Sequence, residues 1–131
     1  MRAQGKLFKS APRRSAPLEA VVLRSIKAYL RARNIYHIRI NSGAIQTKQD
    51  HRVQLAPEGT PDLFVLYKGV SLFVEAKREG EKPTPQQLAQ HEFIRESGGR
   101  VVVATSIDEV RVALNQIDLQ IHLERKENSK Q

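Results

Sequence analysis

Apolar residues between Pro17 and Arg33 recur at intervals of three and four, which places them on one face of an α-helix. Pro17 suits the first turn of a helix, because a backbone N–H at that position has no partner within the helix. Basic residues gather near the end of the segment, where they complement the helix dipole. The pattern predicts a first helix from Pro17 to about Arg33.

The next segment changes to strand-like alternation of apolar and polar residues. Tyr36 to Ile40 alternates, and Asn41-Ser42-Gly43 then turns the chain. A polar stretch leads to a weak strand at Arg52 to Leu55, and residues 56–61 are predicted to form a loop.

Two apolar runs, Asp62 to Tyr67 and Val70 to Lys77, are separated only by Lys68 and Gly69. Glycine supplies the positive φ that a tight two-residue turn requires. The sequence therefore predicts a β-hairpin with its turn at these two residues.

The remaining chain predicts two helices and two strands. After a polar loop, Thr84-Pro85-Gln86-Gln87 opens a helix that ends at Gly98-Gly99, and Val101 to Ala104 is a buried strand. Ser106 to Glu109 fits a capping box for a short third helix. A last strand is expected where apolar and polar residues alternate, at Ile117, Leu119, Ile121 and Leu123. The elements together predict an α/β fold with a mixed sheet flanked by helices.

Composition limits the partners and the site chemistry. The 131 residues form one domain of ordinary size, and 22 Lys and Arg against 14 Asp and Glu give a formal net charge of +8. Such a balance favours nucleic acid or an acidic membrane surface. The chain contains no cysteine, so a metal must be held by oxygen or imidazole.

The two ends of the chain are predicted to lie outside the domain, which spans residues 17–123. Residues 1–16 are basic without an acidic residue and form a flexible arm, either simply disordered or contacting DNA; residues 124–131 form a charged tail. The chain has no apolar run long enough to span a membrane and no apolar signal core, so we expect a cytoplasmic protein that does not associate with membranes.

The predicted hairpin brings two acids together. If Lys68 and Gly69 form the turn, Asp62 lies opposite Glu75, and such opposed carboxylates destabilise an antiparallel pair. Lys77 lies on the same face of its strand as Glu75, because side chains alternate. Carboxylates this close can share a proton or bind a hard cation such as Mg²⁺ or Mn²⁺. With the lysine they form a plausible centre for phosphodiester hydrolysis.

An ordinary solvated hairpin face is the alternative explanation for these charges, and for an arbitrary hairpin it is the better one. Pro61 and Gly59 shape the entry to the first strand, and both strands are unusually apolar for a wetted hairpin. These details make the solvated-face explanation less favoured for this hairpin. The pairing argument also depends on the turn length, since one more residue would make the acids diagonal neighbours.

The blocks Gly59-Thr60-Pro61-Asp62-Leu63 and Phe73-Val74-Glu75-Ala76-Lys77 resemble the PD-(D/E)xK nuclease signature. The virus-type replication-repair (VRR-NUC) branch is the closer likeness. An early-helix glutamate, an Asn-Ser-Gly turn and a Thr-Pro-x-Gln helix start stand in that family's order, over about residues 17–112. The resemblance implies a restriction-endonuclease-like α/β fold.

The resemblance also implies roles for individual residues. Asp62 and Glu75 would be metal ligands with the Ala76 carbonyl, Lys77 the catalytic lysine, and Glu19 the helical acid that completes the site. Glu19 has a second explanation, because an acid near a helix N-terminus is stabilised by the helix dipole. Gln87 matches a family glutamine near the site, yet it also fits a capping box with Thr84. Gln86 is the less favoured choice for that glutamine.

The activity implied by the resemblance is a Mg²⁺- or Mn²⁺-dependent DNA endonuclease, in the manner of a Holliday-junction resolvase that acts as a homodimer on four-way junctions. A bacterial or phage-infected cell is the implied setting. The rivals are a nickase or flap nuclease of replication and repair, and a non-catalytic basic DNA-binding protein. Cations that flank the site are candidates for phosphate contacts: Arg39, Lys48, His51, Arg52, Arg78 and Lys82. The apolar alternation at 117–123 either contributes to a dimer interface or packs in the core.

Overall fold

The computed structural model describes residues 18–40 and 44–130. Three predicted features lie outside these residues: the basic arm 1–16, Pro17 in the first helical turn, and the turn at 41–43. The described elements, in chain order, are α1 (Glu19–Ala32), β1 (Tyr36–Arg39), β2 (Ala44–Gln46), β3 (Arg52–Gln54), β4 (Leu63–Tyr67), β5 (Val70–Ala76), α2 (Pro85–Glu96), β6 (Arg100–Ala104) and α3 (Ile107–Ser129).

A four-stranded sheet in the order β1-β4-β5-β6 is the centre of the fold. β4 pairs antiparallel with both β1 and β5, whereas β6 pairs parallel with β5 after the chain has crossed over through α2. The sheet is therefore mixed, as predicted. Because β5 and β6 are parallel, their carboxyl ends meet at one edge of the sheet, the edge at which Lys77 and Thr105 follow the strands.

The predicted hairpin and its register are confirmed. Tyr67 pairs with Val70 and Leu63 with Val74, so the next position outward sets Asp62 against Glu75. Lys68 and Gly69 both have positive φ, 51° and 82°. Two successive residues in this region form the tight turn whose twist matches that of the flanking strands.

The core lies on one face of the sheet. Alternate residues of β4 and β5, such as Val65 and Val74, are buried together with Ile26 and Leu30 of α1 and with Leu114 of α3. α1 and α3 contact each other over this face, while α2 contacts β6. Helices thus flank the sheet, and β5 has its alternate side chains directed to opposite layers.

The last predicted strand is wrong. Residues 117–123 belong to α3, a helix of 23 residues and not the short helix expected from Ser106. Buried residues of α3 recur at helical spacing: Val110, Ala113, Leu114 and Ile117. Ile121 continues that stripe one turn later, whereas Leu119 and Leu123 are exposed. Alternation over a few residues is compatible with helical spacing at every fourth residue, so the local pattern could not separate the two structures.

Only one strand of a second, two-stranded sheet was predicted from the sequence. The weak strand at 52–55 corresponds to β3, which pairs antiparallel with β2. β2 is only three residues long and lies in a segment with little apolar alternation. No helix of the described residues is apolar and long enough to cross a membrane.

Candidate active site

Asp62 stands immediately before β4, at the end of the hairpin opposite the turn. Its backbone carbonyl accepts a hydrogen bond from the Ile40 N–H at 2.8 Å, which ties this position to the end of β1. Its side chain turns towards β5, where Oδ2 accepts a hydrogen bond from the Ala76 N–H at 2.8 Å. The carboxylate is thus held beside the strand that carries Glu75.

Glu75 and Lys77 are buried, although both are charged residue types at the end of a hairpin. Their side chains are 1% and 5% exposed. Charged side chains are rarely enclosed to this degree without a specific partner or role. The solvated-face explanation therefore does not fit these two residues.

Two side chains of α2 hold the Glu75 carboxylate. Gln87 Nε2 donates to Oε2 at 3.4 Å, and His91 Nε2 shares a hydrogen bond with Oε1 at 3.1 Å. Gln87 also completes the predicted capping box, since its Oε1 accepts from the Thr84 N–H and its own N–H donates to Thr84 Oγ1. Gln86 instead contacts Glu58, on the loop before β4. Gln87 therefore caps the helix and contacts Glu75 as well.

His91 was not among the residues predicted for the site. It is 1% exposed and lies against the candidate ligand Glu75. Its spacing from Gln87 could have indicated a place in the site, because a residue four positions later lies one turn further along the same face of a helix. The sequence carries no second mark that separates such a histidine from a core residue.

Burial and like charge act together on Glu75. Burial and, to a smaller extent, the negative charge of nearby Asp62 raise the pKa of this carboxyl to about 8, and the positive charge of Lys77 opposes them only weakly. Burial also lowers the pKa of His91, and the charges of Arg95 and Lys77 act in the same direction. Glu75 therefore keeps a proton near neutral pH unless a cation compensates its charge.

Glu19 is the first residue of α1 and is partly buried. Burial raises the pKa of Glu19. The positive charge of Lys77 lowers this pKa by a smaller amount, and the negative charge of Asp62 raises it by less still. Leu23, Ile26 and Leu30 of the same helix are buried, so the helix is fixed against the core with Glu19 at the end near the site. The structure thus brings Glu19 into the electrostatic reach of Asp62 and Lys77, which a role at the helix dipole alone does not require.

The side chains are not arranged as a ready metal site. Among the described residues, no three His, Asp or Glu side chains are close enough together to hold an ion. Asp62 faces the Ala76 N–H and Glu75 faces α2, while Ala76, whose carbonyl was predicted as a further ligand, is fully buried. The donor set itself fits a hard cation, because a divalent charge would compensate the like charges of Asp62 and Glu75. Binding an ion would require the acidic side chains to move closer together.

A glycine sets the distance between the Asp62 loop and α2. Gly59 has a φ of 86°, and a Cβ added there would lie 2.6 Å from the backbone oxygen of Gln86. No side chain fits in this space without displacing backbone. The loop before Asp62 is therefore packed directly on the first turn of the helix that supplies Gln87 and His91.

The predicted flanking cations lie in different surroundings. Arg39 lines a cavity together with Glu19 and Asp62, and Arg78 is paired with Glu81 at 3.0 Å. Lys48, His51 and Arg52 are exposed at the β2–β3 hairpin, and Lys82 is exposed in the loop before α2. Of this set, Arg39 is the residue most directly associated with the candidate acids.

Comparisons with known proteins support the fold. The family profile "VRR-NUC domain" matches residues 3–108. A solved structure described as "VRR_NUC domain" superposes with a TM-score of 0.55 at 30% sequence identity, covering 74% of this chain and 94% of that one. This match confirms the restriction-endonuclease-like α/β fold.

A curated relative is "Putative nuclease p44" of Acyrthosiphon pisum secondary endosymbiont phage 1. It is 47% identical over 51 residues, which amount to 38% of this chain. The matched segment spans 55% of the relative's length, so the likeness covers about half of that protein.

Proposed function

The chain belongs to the VRR-NUC nuclease family, and on that premise we propose that it is a divalent-metal-dependent DNA endonuclease whose centre is formed by Asp62, Glu75 and Lys77. The observation that carries the proposal is the end of the β4–β5 hairpin. Two acids face each other there, and a lysine on the same strand is buried beside them. A buried acid with a perturbed pKa beside a buried cation, as Glu75 is beside Lys77, is typical of catalytic sites and is unfavourable as a purely structural group.

In this proposal Asp62, Glu75 and Glu19 would hold Mg²⁺ or Mn²⁺, with the Ala76 carbonyl as a further ligand. The ion would supply a polarised phosphodiester and bound water of lowered pKa. Lys77 orients the attacking water or stabilises the negative charge that develops on the phosphate. Gln87 and His91 restrict the Glu75 carboxylate through their hydrogen bonds and would thereby orient it as a ligand.

We also propose that the preferred substrate is a four-way DNA junction cut by a homodimer. Symmetric resolution needs two cuts, and a two-fold dimer supplies two equivalent centres. The exposed strand expected at 117–123 does not support this dimer, because Ile117 is buried and Ile121 packs on the core. Leu119 and Leu123, 57% and 52% exposed and one turn apart on α3, are the apolar residues of that segment that remain available for an interface.

The proposal is tested by incubating the protein with labelled four-way junction, flap, nicked, single-stranded and duplex DNA, with and without Mg²⁺ or Mn²⁺. Metal-dependent cleavage that Glu75→Gln abolishes is expected. A junction held in a supercoiled cruciform then distinguishes a junction resolvase from a nickase, because paired cuts linearise the plasmid whereas single nicks only relax it. Relaxed circles from a monomeric protein would favour a nickase, and DNA binding without any cleavage would favour a non-catalytic protein.

A further inference from the structure

A groove of about 300 Å³ runs along the first half of α1 and opens beside the candidate active site. Glu19 and Asp62 line one part of it. Its other charged lining residues are all basic: Arg24, Lys27 and Arg39. The groove thus continues from the acids into a positively charged channel.

The groove residues follow one face of the helix. Glu19, Leu23 and Lys27 are spaced by four, and Arg24 lies next to Leu23. Leu23 is buried and forms the floor, so the cations stand at the sides of the groove over a surface that is fixed to the core. The position of the charges relative to Asp62 and Glu19 is therefore determined by a packed helix and not by a loop.

Arg24 and Lys27 are not neutralised by a neighbouring carboxylate, unlike three other described cations. Lys68, Arg78 and Arg111 each form an ion pair with a neighbouring carboxylate. Within residues 18–40 and 44–130, neither Arg24 nor Lys27 has an ion pair or a side-chain hydrogen bond. Lys27 is half-buried even so. Unpaired cations in a groove attract an anionic ligand more strongly than cations already neutralised by the protein.

We propose that this groove binds the sugar–phosphate backbone of the DNA strand that is cut, with Arg24 and Lys27 contacting phosphates on one side of the scissile bond. The inference rests on the proposed nuclease function and adds to it a strand path. At a rise of about 1.5 Å per residue, Arg24 lies about 7.5 Å and Lys27 about 12 Å along the helix from Glu19. For a duplex whose axis runs parallel to α1, with a rise of about 3.4 Å per nucleotide, these distances place the contacts about two to four nucleotides from the cut.

The distribution of charge favours a phosphodiester chain over a small anion. The acids at one end repel an anion by themselves, whereas a divalent ion held there attracts the scissile phosphate. The cations further along match the negative charges that recur along the same strand. A protein partner is disfavoured, because the apolar lining is limited to Ala20 and the buried Leu23.

The first test compares two charge-matched double variants. Arg24→Gln with Lys27→Gln removes two positive charges from the groove, and Arg125→Gln with Lys126→Gln removes two from exposed positions late in α3. The control site is remote, because Asp118 of α3 already lies at the hairpin turn, the end opposite Asp62, and Arg125 follows it by about two turns. Arg24→Lys with Lys27→Arg keeps the charges and should behave as the wild type.

DNA affinity is measured without metal over a range of salt concentrations. Each lost phosphate contact on duplex DNA should reduce the log–log salt slope by about 0.9, so the groove variant should have a slope shallower by about 1.8 than that of the wild type. The control variant should keep a slope near that of the wild type. Equal slopes for the groove variant and the control would overturn the proposal.

The second test replaces single phosphates of the cleaved strand by neutral methylphosphonates. Wild-type cleavage should fall when a phosphate about two to four nucleotides from the cut is neutralised, and the groove variant should be insensitive to the same replacement. Equal sensitivity in both proteins would contradict the strand path. If the wild type cleaves no DNA, the nuclease proposal fails, while the salt slopes still decide whether the groove binds DNA.

Discussion

The two ends of the β4–β5 hairpin both carry charged clusters, but in opposite surroundings. At the turn, Lys68 Nζ lies 2.6 Å from Asp118 Oδ1, and the Tyr67 hydroxyl donates to Asp118 Oδ2 at 3.1 Å. Lys68 is exposed and Asp118 half-exposed, and the cation is matched by an anion. At the other end, Glu75 and Lys77 are almost fully enclosed.

The acids of the two clusters respond in opposite directions. The hydrogen bond from Lys68 lowers the pKa of Asp118, whereas burial raises that of Glu75 to about 8. An exposed pair keeps its hydration and is easily accommodated, but enclosed like charges oppose folding. The turn cluster is thus stabilised by its own ion pair, whereas the enclosed acids are unfavourable by themselves, which supports the proposal that they hold a cation.

The largest difference should appear in cleavage. We expect Asp62→Asn, Glu75→Gln and Lys77→Ala each to reduce cleavage by at least about 10²-fold, because each removes a metal ligand or a group acting on the transition state. Asp118→Asn, at the turn end, should cleave like the wild type. Similar losses at both ends would show that the assay reports folding and not chemistry.

Substitution of His91 should have the next largest effect on cleavage, because His91 is hydrogen-bonded to Glu75. We expect His91→Phe to raise the Mg²⁺ or Mn²⁺ concentration needed for half-maximal cleavage by about 10- to 100-fold, because it removes a hydrogen bond that orients a ligand. Saturating metal should restore much of the rate, and His91→Gln, which keeps a donor, should lie between. A purely structural histidine would instead lower stability without changing the metal requirement.

The pH dependence of folding stability should distinguish the enclosed cluster from the turn cluster, and it can be measured without substrate. The folded-state pKa of Glu75 is raised from 4.5 to about 8. The contribution of Glu75 to the free energy of unfolding is therefore fully present below pH 4.5 and is lost as the pH rises towards 8. Metal-free protein should therefore lose a few kcal/mol, at most about 5, over this window. Thermal unfolding at several pH values measures the loss, and Glu75→Gln should remove it. Added Mg²⁺ should stabilise the wild type most at the alkaline end of the window.

The smallest effect is expected from the turn pair. Asp118→Asn should shift the melting temperature by little more than the error of the measurement, because an exposed ion pair gains little over its hydrated ions. High salt should reduce even this difference. A large loss of stability would mean that the turn cluster is a structural anchor and that the contrast between the two ends is weaker than the geometry indicates.

The hairpin, its register and the acids facing each other could be predicted because they depend on local rules. A two-residue turn at Lys68-Gly69 fixes every pair up to Asp62, and the capping box at Thr84 likewise needs only its own turn of helix. The placement of Gln87 against Glu75 followed from the family resemblance.

The remaining features depend on contacts between distant segments. Residues 117–123 continue α3 because Leu114, Ile117 and Ile121 meet the core at helical spacing, and alternation over seven residues does not reveal that partner. The burial of His91 depends on where α2 lies over β5. The enclosure of Lys77 likewise becomes visible only when β6 is in place, since its N–H donates to the carbonyl of Ala104.

The close contact at Gly59 has a consequence for redesigning the protein. Because the Gln86 carbonyl occupies the space of a side chain at residue 59, the Asp62 loop and α2 behave as one block with a fixed separation. A loop taken from another nuclease could be grafted here only if it kept a glycine at this point. Insertions are better placed between β2 and β3, where residues 48–51 are exposed, since these two strands form a separate sheet. New DNA preferences could be engineered there without disturbing the alignment of the acids.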